Sequence, residues 1–292
     1  MKRLPAELVP TIPGSARAVL RNTVWAYGKA TSSVRPLPDF LVIGAQKAGT
    51  TALYAYLRWH PGISGPSWKE ASFFDRHYWR GEAWYRGHFP NPVRMWRAER
   101  ANGRRLVLGE ASPSYILHPL APERVHSLVP DVRLVALLRD PVDRAYSHYQ
   151  HEVLRGTETL PFEEALDAEE ERLRGEVERM TADPAYFSHN WWNFTYLARG
   201  RYAEQLERWF AVFPREQLLV VPSADLHDRP AETYGAILEH IGVEPHALGS
   251  YPHLFSREYT PMPEASRERL SAYFAEPNRR LYELLGRDFG WD

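Results

Sequence analysis

The chain has 292 residues, of which 44% are hydrophobic and 25% are charged, and this apolar fraction excludes a mainly disordered protein. Lys and Arg together number 36 against 37 Asp and Glu, so the net charge of −1 argues against a strongly basic nucleic-acid-binding protein. There is no cysteine, which excludes disulfides, thiolate metal sites and cysteine nucleophiles.

Residues 1–37 form a basic N-terminal extension that carries six basic residues and one acid, Glu7. A helix is predicted from Ser15 to Lys29, and two interpretations of it stay open. It either packs on the flank of its own domain or contacts a membrane surface or a partner. The first residues lack the apolar stretch of a signal peptide, and no apolar run approaches the ~20 residues that span a bilayer, so a cytoplasmic location is expected.

From Phe40 onward, short apolar runs alternate with helical patterns. Strands are predicted at 40–43, 105–108, 132–138 and 217–221, and helices from Thr50 to about Pro61, from Pro141 onward and over 231–241. This alternation indicates an α/β fold, with a parallel sheet flanked by helices in a single domain over residues 38–292. Residues 156–190 interrupt the pattern as a helical insertion, in which one highly charged helix is predicted from Pro161 toward Met180.

The segment Gly44-Ala-Gln-Lys47-Ala48-Gly49-Thr50-Thr51 lies between the first predicted strand and the first predicted helix. This position is typical of a phosphate-binding loop, because glycine allows close backbone approach and the N–H groups of the helix N-terminus point at an anion. The loop of NTPases has its lysine directly after the second glycine, whereas here Thr50 stands there and Lys47 lies within the loop.

The residue that follows the strand at 132–138 is Arg139 rather than an acidic metal ligand. ATP hydrolysis with Mg²⁺ is therefore disfavoured. A donor with a single 5′-phosphate-linked leaving group and no required metal fits the loop better. A glycine-rich turn that holds no ligand is the remaining interpretation.

Five sequence pieces carry a resemblance to a known family. They are Phe40 to Thr51, Lys69-Glu70-Ala-Ser-Phe-Phe-Asp75, Gly109-Glu-Ala-Ser-Pro-Ser-Tyr115, Leu138-Arg139-Asp-Pro-Val-Asp-Arg-Ala-Tyr-Ser147, and the tail Tyr273 to Gly286. In this order they resemble sulfotransferases that use 3′-phosphoadenosine 5′-phosphosulfate (PAPS), closest to the heparan-sulfate N- and 3-O-sulfotransferase type and their bacterial relatives. The resemblance spans about Pro38 to Trp291 and implies a P-loop-like sheet.

The resemblance implies a donor site built from three parts of the chain. The loop Lys47, Ala48, Gly49, Thr50 and Thr51 would hold the 5′-phosphosulfate end, and Lys47 would stabilise charge on the bridging oxygen of the leaving group. Arg139 and Ser147 match the 3′-phosphate site. Arg257 and Tyr259 would line the nucleotide from a closing loop, of whose family pattern only the arginine is present. The product would be adenosine 3′,5′-bisphosphate, and no metal is implied.

The resemblance also implies an acceptor side. Glu70 aligns with the general base of the glycan-modifying members, and Lys69 beside it would tune its charge or hold an acidic acceptor. Ser112, Tyr115 and Trp192 are further candidates for acceptor contacts. Ala111 stands where heparan-type enzymes often have a lysine, which argues against binding of a heparan-like polyanion. A histidine base is the competing interpretation, with His77, His88, His118 and His148 as candidates.

Two other functions compete with a sulfotransferase whose acceptor is a glycan, lipid or small metabolite. One is a P-loop nucleotide kinase or NTPase, which predicts ATP turnover that depends on Mg²⁺. The other is a non-catalytic nucleotide-binding protein, in which replacing Glu70 would change no measurable function. No nucleic-acid partner is expected, and membrane-surface contact through residues 1–37 stays an open interpretation.

Overall fold

A computed structural model describes residues 26–66, 69–252, 254 and 260–291. One parallel sheet of five strands lies at its centre in the order β2-β3-β1-β4-β5. The strands are β1 (Phe40–Gly44), β2 (Ile63–Ser64), β3 (Val107–Ala111), β4 (Arg133–Leu138) and β5 (Leu218–Pro222). This sheet, with helices around it, confirms the predicted α/β class.

The helices connect the strands and cover the sheet. In chain order they are α1 (Thr50–Trp59), α2 (Glu82–Arg86), α3 (Pro92–Asn102), α4 (Ala121–Leu128), α5 (Pro141–Leu154), α6 (Phe162–Asp167), α7 (Glu169–Leu173), α8 (Glu176–Ala182), α9 (His189–Asn193), α10 (Tyr202–Phe210), α11 (Ser223–Asp228), α12 (Pro230–His240) and α13 (Glu264–Leu285). A single π-helical turn occupies Phe73–His77. No helix of the described residues is long and apolar enough to cross a membrane.

The central strand β1 is buried along its whole length, because it pairs with β3 on one side and β4 on the other. Every residue of its Phe-Leu-Val-Ile run is fully buried, as expected for a parallel strand covered on both faces. A second, smaller apolar cluster forms where α5 and α6 pack against Phe194, Tyr196 and the α13 residues Leu270 and Phe274. The main core therefore fixes the sheet, and the smaller one fixes α5 and the start of the insertion.

Two sequence predictions differ from the structure in their details. The second predicted strand, 105–108, is observed as β3 at Val107–Ala111, because the Asp39 carboxylate binds the Leu108 N–H and the residues after it pair with β1. The single helix predicted from Pro161 toward Met180 is wrong. The segment forms α6, α7 and α8, and Gly175 adopts a positive φ of 73° between the last two.

The N-terminal extension is described only from residue 26 onward. Residues 26–30 are helical, and Ser32–Val34 form a 3-10 turn before the chain enters β1. Most of the helix predicted from Ser15 to Lys29 lies outside the described residues, so its packing stays a prediction. The domain boundary at 37/38 and the role of the insertion also stay predictions.

The strand order creates a crevice at one edge of the sheet. The connection that leaves β1 runs toward β2 and β3, whereas the connection that leaves β4 runs toward β5 on the other side. In open parallel sheets, ligands bind at such a reversal, outside the carboxyl ends of the strands. The loops that follow β1 and β4 contain Lys47 and Arg139, so the fold itself brings these predicted residues to one crevice.

Candidate functional site

The loop after β1 has the conformation that a phosphate cradle needs. Gly49 is the N-cap residue of α1 with a φ of 90°, and no side chain caps the helix there. The first N–H groups of an α-helix have no intrahelical acceptor, and together with the helix dipole they attract an anion. Lys47 has a φ of 71°, which side chains with a Cβ rarely adopt.

Arg139 reaches across the crevice to this loop. Its Nη1 donates to the carbonyl oxygen of Lys47 at 3.4 Å. Its Nη2 lies 3.7 Å from an oxygen of Asp143, and the Tyr202 hydroxyl donates to the Arg139 backbone carbonyl at 2.9 Å. The arginine that follows β4 and the loop that follows β1 therefore share one site. The Arg139 side chain keeps about a third of its surface exposed there.

Helix α5 starts directly after Arg139. The Asp140 carboxylate caps it by accepting hydrogen bonds from the N–H groups of Val142 and Asp143. Ser147 lies in the second turn of α5 and is buried. The cap fixes the direction in which α5 leaves the sheet, and this places Ser147 on the element that immediately follows Arg139.

The charge of Lys47 affects a buried residue of α5, His148. His148 is fully buried, and burial, followed by the charges of Arg199 and Arg144, lowers its pKa well below the usual value, with a smaller contribution from Lys47. A buried neutral imidazole in cationic surroundings is a poor proton acceptor. Lys47 therefore contributes positive potential at the buried face of α5, where the Glu152 carboxylate lies 3.8 Å from His148 Nε2.

Glu70, in the second of the five family-like sequence pieces, lies in a strained loop. Glu70 has a φ of 65° and Ser72 one of 45°, and with Lys47 they are the positive-φ residues other than glycine in the described part of the chain. The Nζ of Lys69 lies 2.7 Å from Glu70 Oε1, and 43% of the Glu70 side chain is exposed. Strained non-glycine residues cluster at functional sites, because only surrounding structure keeps them in such conformations.

A buried carboxylate, Glu110, holds this loop from below. Its Oε1 accepts hydrogen bonds from the hydroxyls of Tyr115 at 2.7 Å and Tyr85 at 3.0 Å, and its Oε2 accepts one from Ser112 at 3.0 Å. The backbone N–H of Ala71 donates to the same carboxylate. Burial raises the pKa of Glu110, and these donors oppose that shift.

The hydroxyls that bind Glu110 also bind the strained loop. The Ser72 N–H donates to Ser112 Oγ at 3.0 Å, and the Phe73 N–H donates to the Tyr115 hydroxyl at 2.9 Å. Ser112 and Tyr115 are fully buried, so neither presents a surface to an acceptor in this structure. Sequence reasoning missed Glu110 as the centre of this network, although an acidic residue in an otherwise buried strand was a usable signal.

The turn after β3 connects the Glu70 loop to the phosphate loop. The Ser112 N–H donates to the Val42 carbonyl at 3.1 Å, and the Ile116 N–H donates to the Ile43 carbonyl at 2.9 Å. A Cβ on Gly44 would lie 2.4 Å from the Ile116 side chain, so only glycine fits where β1 ends. The two predicted loops therefore lie at the same edge of the sheet.

Asp75 and Arg76 belong to the π-helical turn, and Trp192 lies beside it. Asp75 is buried, and burial raises its pKa to about 7. The guanidinium carbon of the adjacent Arg76 lies 4.2 Å from the ring centroid of Phe187 and 5.6 Å from that of Trp192. Trp192 is half-buried and Phe187 is exposed, so the aromatic wall that these two residues form is partly open to solvent.

The competing histidines are buried or partly buried, and a histidine base stays the alternative prediction. Burial, reinforced by nearby arginines, lowers the pKa of His77 to about 4 and that of His118 to about 3, and burial also lowers the pKa of His88. The remaining two donor-site candidates, Arg257 and Tyr259, lie outside the described residues.

Comparison with known proteins agrees with this geometry. A family model described as "Sulfotransferase domain" matches residues 37–267. Mouse heparan sulfate glucosamine 3-O-sulfotransferase 6 is 33% identical over 282 residues, which cover 88% of this chain and 75% of that protein. Human bifunctional heparan sulfate N-deacetylase/N-sulfotransferase 3 is 34% identical over 286 residues, which cover 85% of this chain but 30% of that longer protein.

A solved structure extends the likeness to the fold. The crystal structure of a sulfotransferase from Alicyclobacillus acidocaldarius is similar with a TM-score of 0.65 and 32% sequence identity, covering 88% of this chain and 99% of that one. The family match, the relatives and the crevice that joins Lys47 to Arg139 lead to one conclusion: the chain belongs to the sulfotransferase family of transferase enzymes.

Proposed function

We propose that this protein transfers a sulfuryl group from PAPS to a hydroxyl or amine of an acceptor. The observation that carries the proposal is the hydrogen bond of 3.4 Å between Arg139 and the Lys47 carbonyl, which joins the two cationic residues at the strand-order reversal. The family match supports sulfuryl transfer rather than the competing kinase or NTPase chemistry.

The donor site would use the residues around this crevice. The N–H groups at the start of α1, with the hydroxyls of Thr50 and Thr51, suit the phosphosulfate end. Arg139 and Ser147 would bind the 3′-phosphate, since a guanidinium and a hydroxyl satisfy phosphate oxygens. The residues present therefore fit a nucleotide with phosphates at both ends.

Lys47 and Glu70 would have separate roles in the transfer step. As the acceptor oxygen or nitrogen bonds to sulfur and the bond from sulfur to the bridging oxygen breaks, Lys47 would stabilise the charge that develops on the phosphate. Glu70 would take the proton of the acceptor, and Lys69, 2.7 Å away, would orient its carboxylate. The Glu70 side chain is 43% exposed, so an acceptor bound against it would itself shield it from water.

The proposed acceptor carries less negative charge than a heparan-like chain. Ala111 stands in place of a cation, and Ser112 and Tyr115 are committed to Glu110, which leaves Lys69 and the Trp192 wall to meet the acceptor. We propose a glycan, lipid or small metabolite of low negative charge.

The test is transfer of ³⁵S-labelled sulfate from PAPS to fractionated extract of the source cell. Glu70→Gln should lower transfer by at least about a hundredfold, as for loss of a general base, while binding of adenosine 3′,5′-bisphosphate changes by less than about threefold. Glu82→Gln is the matched control, because that exposed carboxylate lies on α2 and pairs with Arg86 one turn further along the helix. Full activity of Glu70→Gln would remove Glu70 from the mechanism, and absence of any labelled product would contradict the proposal.

A further inference from the structure

An exposed apolar surface lies away from the phosphate loop, around helix α3. Four apolar residues each expose more than half of their surface: Tyr27 (52%), Val34 (60%), Val93 (57%) and Trp96 (58%). We call these residues, with the arginines of α3, the α3 face. A groove of about 470 Å³ lined by Val34, Met95 and Trp96 joins the two chain segments, and the Asn91 amide donates to the Tyr27 hydroxyl. Large exposed apolar groups that lie together mark an interaction surface.

The α3 face is also strongly basic. Arg94, Arg97 and Arg100 are exposed, and none of them has an acidic partner within ion-pair distance among residues 26–66, 69–252, 254 and 260–291. The Arg100 guanidinium lies 5.7 Å from the Trp96 ring centroid, so charge and aromatic surface are adjacent. Lys29 is exposed on the neighbouring segment and adds a further cation.

Helical geometry brings both kinds of side chain to one side of α3. Residues three and four apart are neighbours on a helix surface, so Val93, Trp96, Arg97 and Arg100 form one stripe. A soluble helix packed on a core normally exposes polar groups, whereas this stripe exposes a tryptophan and a valine between arginines. The pattern is the one that inserts shallowly into a charged interface.

We infer that the α3 face docks the protein onto a membrane surface rich in anionic phospholipid. Tryptophan suits the boundary between headgroups and acyl chains, because its ring is apolar and its N–H is polar. Arginines beside it would pair with lipid phosphates while their aliphatic parts lie along the apolar layer. The charge of the face therefore selects the anionic lipid, and the exposed apolar side chains select a bilayer over a soluble anion.

The sequence before the α3 face carries charge of the same sign. Residues 1–25 contain Lys2, Arg3, Arg17 and Arg21 against one acid, and they lead directly into the segment that contains Tyr27 and Lys29. Basic residues next to an interfacial surface strengthen attachment to anionic lipid. This docking is independent of the transfer chemistry proposed above.

Flotation of the full-length protein with vesicles of phosphatidylcholine and phosphatidylglycerol (7:3), against vesicles of phosphatidylcholine alone, tests the inference. The wild type should float with the anionic vesicles at 0.1 M salt. The variant Arg94→Gln/Arg97→Gln/Arg100→Gln should bind at least about tenfold more weakly, since each arginine near the surface contributes to attraction. The variant Val93→Ser/Trp96→Ser should also weaken binding at least about threefold.

Two matched variants control for net charge and general hydrophobicity. Arg174→Gln/Arg229→Gln/Arg279→Gln removes equal charge at exposed, ion-paired positions. Val153→Ser/Leu154→Ser removes exposed apolar surface from the end of α5. Both should float like the wild type, and all variants should keep the wild-type circular dichroism spectrum.

The inference is overturned if the wild type does not float, or if the α3 variants float as well as the wild type, which would leave attachment to residues 1–25 alone. It is also overturned if the triple arginine variant of α3 and the control triple arginine variant bind the vesicles equally weakly. Equal binding of the Val93→Ser/Trp96→Ser variant, with competition by soluble dextran sulfate, would instead identify a site for soluble polyanions.

Discussion

The Glu110 carboxylate shows how a single residue can position a loop that it does not belong to, here the loop that carries the proposed base Glu70. It is fully buried, and each of the hydroxyls of Ser112 and Tyr115 that donate to it also accepts an N–H from the loop after Glu70. An acceptor-only carboxylate organises all of these donors at once, which a neutral amide cannot do. Glu110 therefore fixes the strained backbone at Glu70 and Ser72.

Replacing Glu110 by Gln should separate positioning from donor binding. In the wild type these hydroxyls donate to the carboxylate, whereas the amide of the variant would place its own N–H groups against them. The mismatch should lower the free energy of unfolding by about 1–3 kcal/mol. We expect the Glu70 loop to shift, because it loses this network, and the Lys47 loop to keep its own contacts. Sulfate transfer should then fall at least about tenfold, while the affinity for adenosine 3′,5′-bisphosphate should stay within about threefold. Steady-state kinetics and calorimetric titration measure the two effects.

Tyr85→Phe is the control, because it removes one donor to Glu110 without touching the loop N–H groups. It should retain most of the transfer activity. Equal losses of transfer in Tyr85→Phe and Glu110→Gln would show that the carboxylate acts only through general stability.

Among the elements, helix α7 of the insertion is anchored by a buried ion pair between Arg172 and Glu158. Glu158 is almost fully buried, and it accepts hydrogen bonds from Arg172 Nη1 at 2.5 Å and Nη2 at 3.0 Å and from the Tyr196 hydroxyl at 2.9 Å. Burial alone would raise the pKa of Glu158, but Arg172 and the other donors outweigh it and hold the pKa at about 2. The pair therefore ties α7 to the segment after α5 and to Tyr196 in the second core.

Arg172→Leu should destabilise the protein by about 3 kcal/mol at pH 7, because it leaves Glu158 buried without its partner. The native pKa of about 2 lies below the ordinary value of 4.5, so the pair stabilises above about pH 4.5 and its contribution is lost as the pH falls toward 2. Urea unfolding at pH 7 and pH 3 should show a smaller difference between wild type and variant at pH 3.

The matched control is Arg174→Leu, whose exposed ion pair with Glu171 should contribute less than about 1 kcal/mol at either pH. A difference between wild type and Arg172→Leu that is unchanged at pH 3 would contradict the assignment of the low pKa to this pair.

The element boundaries also show what the sequence could predict. Strands β1, β4 and β5 were predicted within one residue, because their apolar runs are continuous and buried. Strand β3 was predicted too early, since Glu110 interrupts its apolar pattern, and β2 was missed because it has two residues. The breaks within the insertion depend on Gly175 in a left-handed conformation, which the charge pattern of that segment obscured.

At the scale of the whole molecule, the sequence predicted the features that depend on local patterns. It did not predict the contacts between segments that lie far apart in the chain. The alternation of strands and helices predicted the sheet, and the sequence also predicted that the glycine loop joins β1 to α1. Anion binding by this loop stays a prediction. The hydrogen bonds that join Glu110 to the Glu70 loop cross about forty residues of sequence and have no local pattern. The roles of Arg257 and Tyr259, and a cytoplasmic location, stay predictions.

The most direct measurement is a calorimetric titration of adenosine 3′,5′-bisphosphate and of adenosine 5′-monophosphate into wild type, Arg139→Ala and Arg133→Ala. Arg133 stands at the exposed opposite end of β4 and is the matched control. We expect Arg139→Ala to weaken the bisphosphate at least about tenfold, since a charge-assisted contact to the 3′-phosphate is lost, and to leave the monophosphate and the control unchanged. Tight binding of ATP with Mg²⁺ in place of the bisphosphate, or equal affinities in the two variants, would contradict a PAPS site at this crevice.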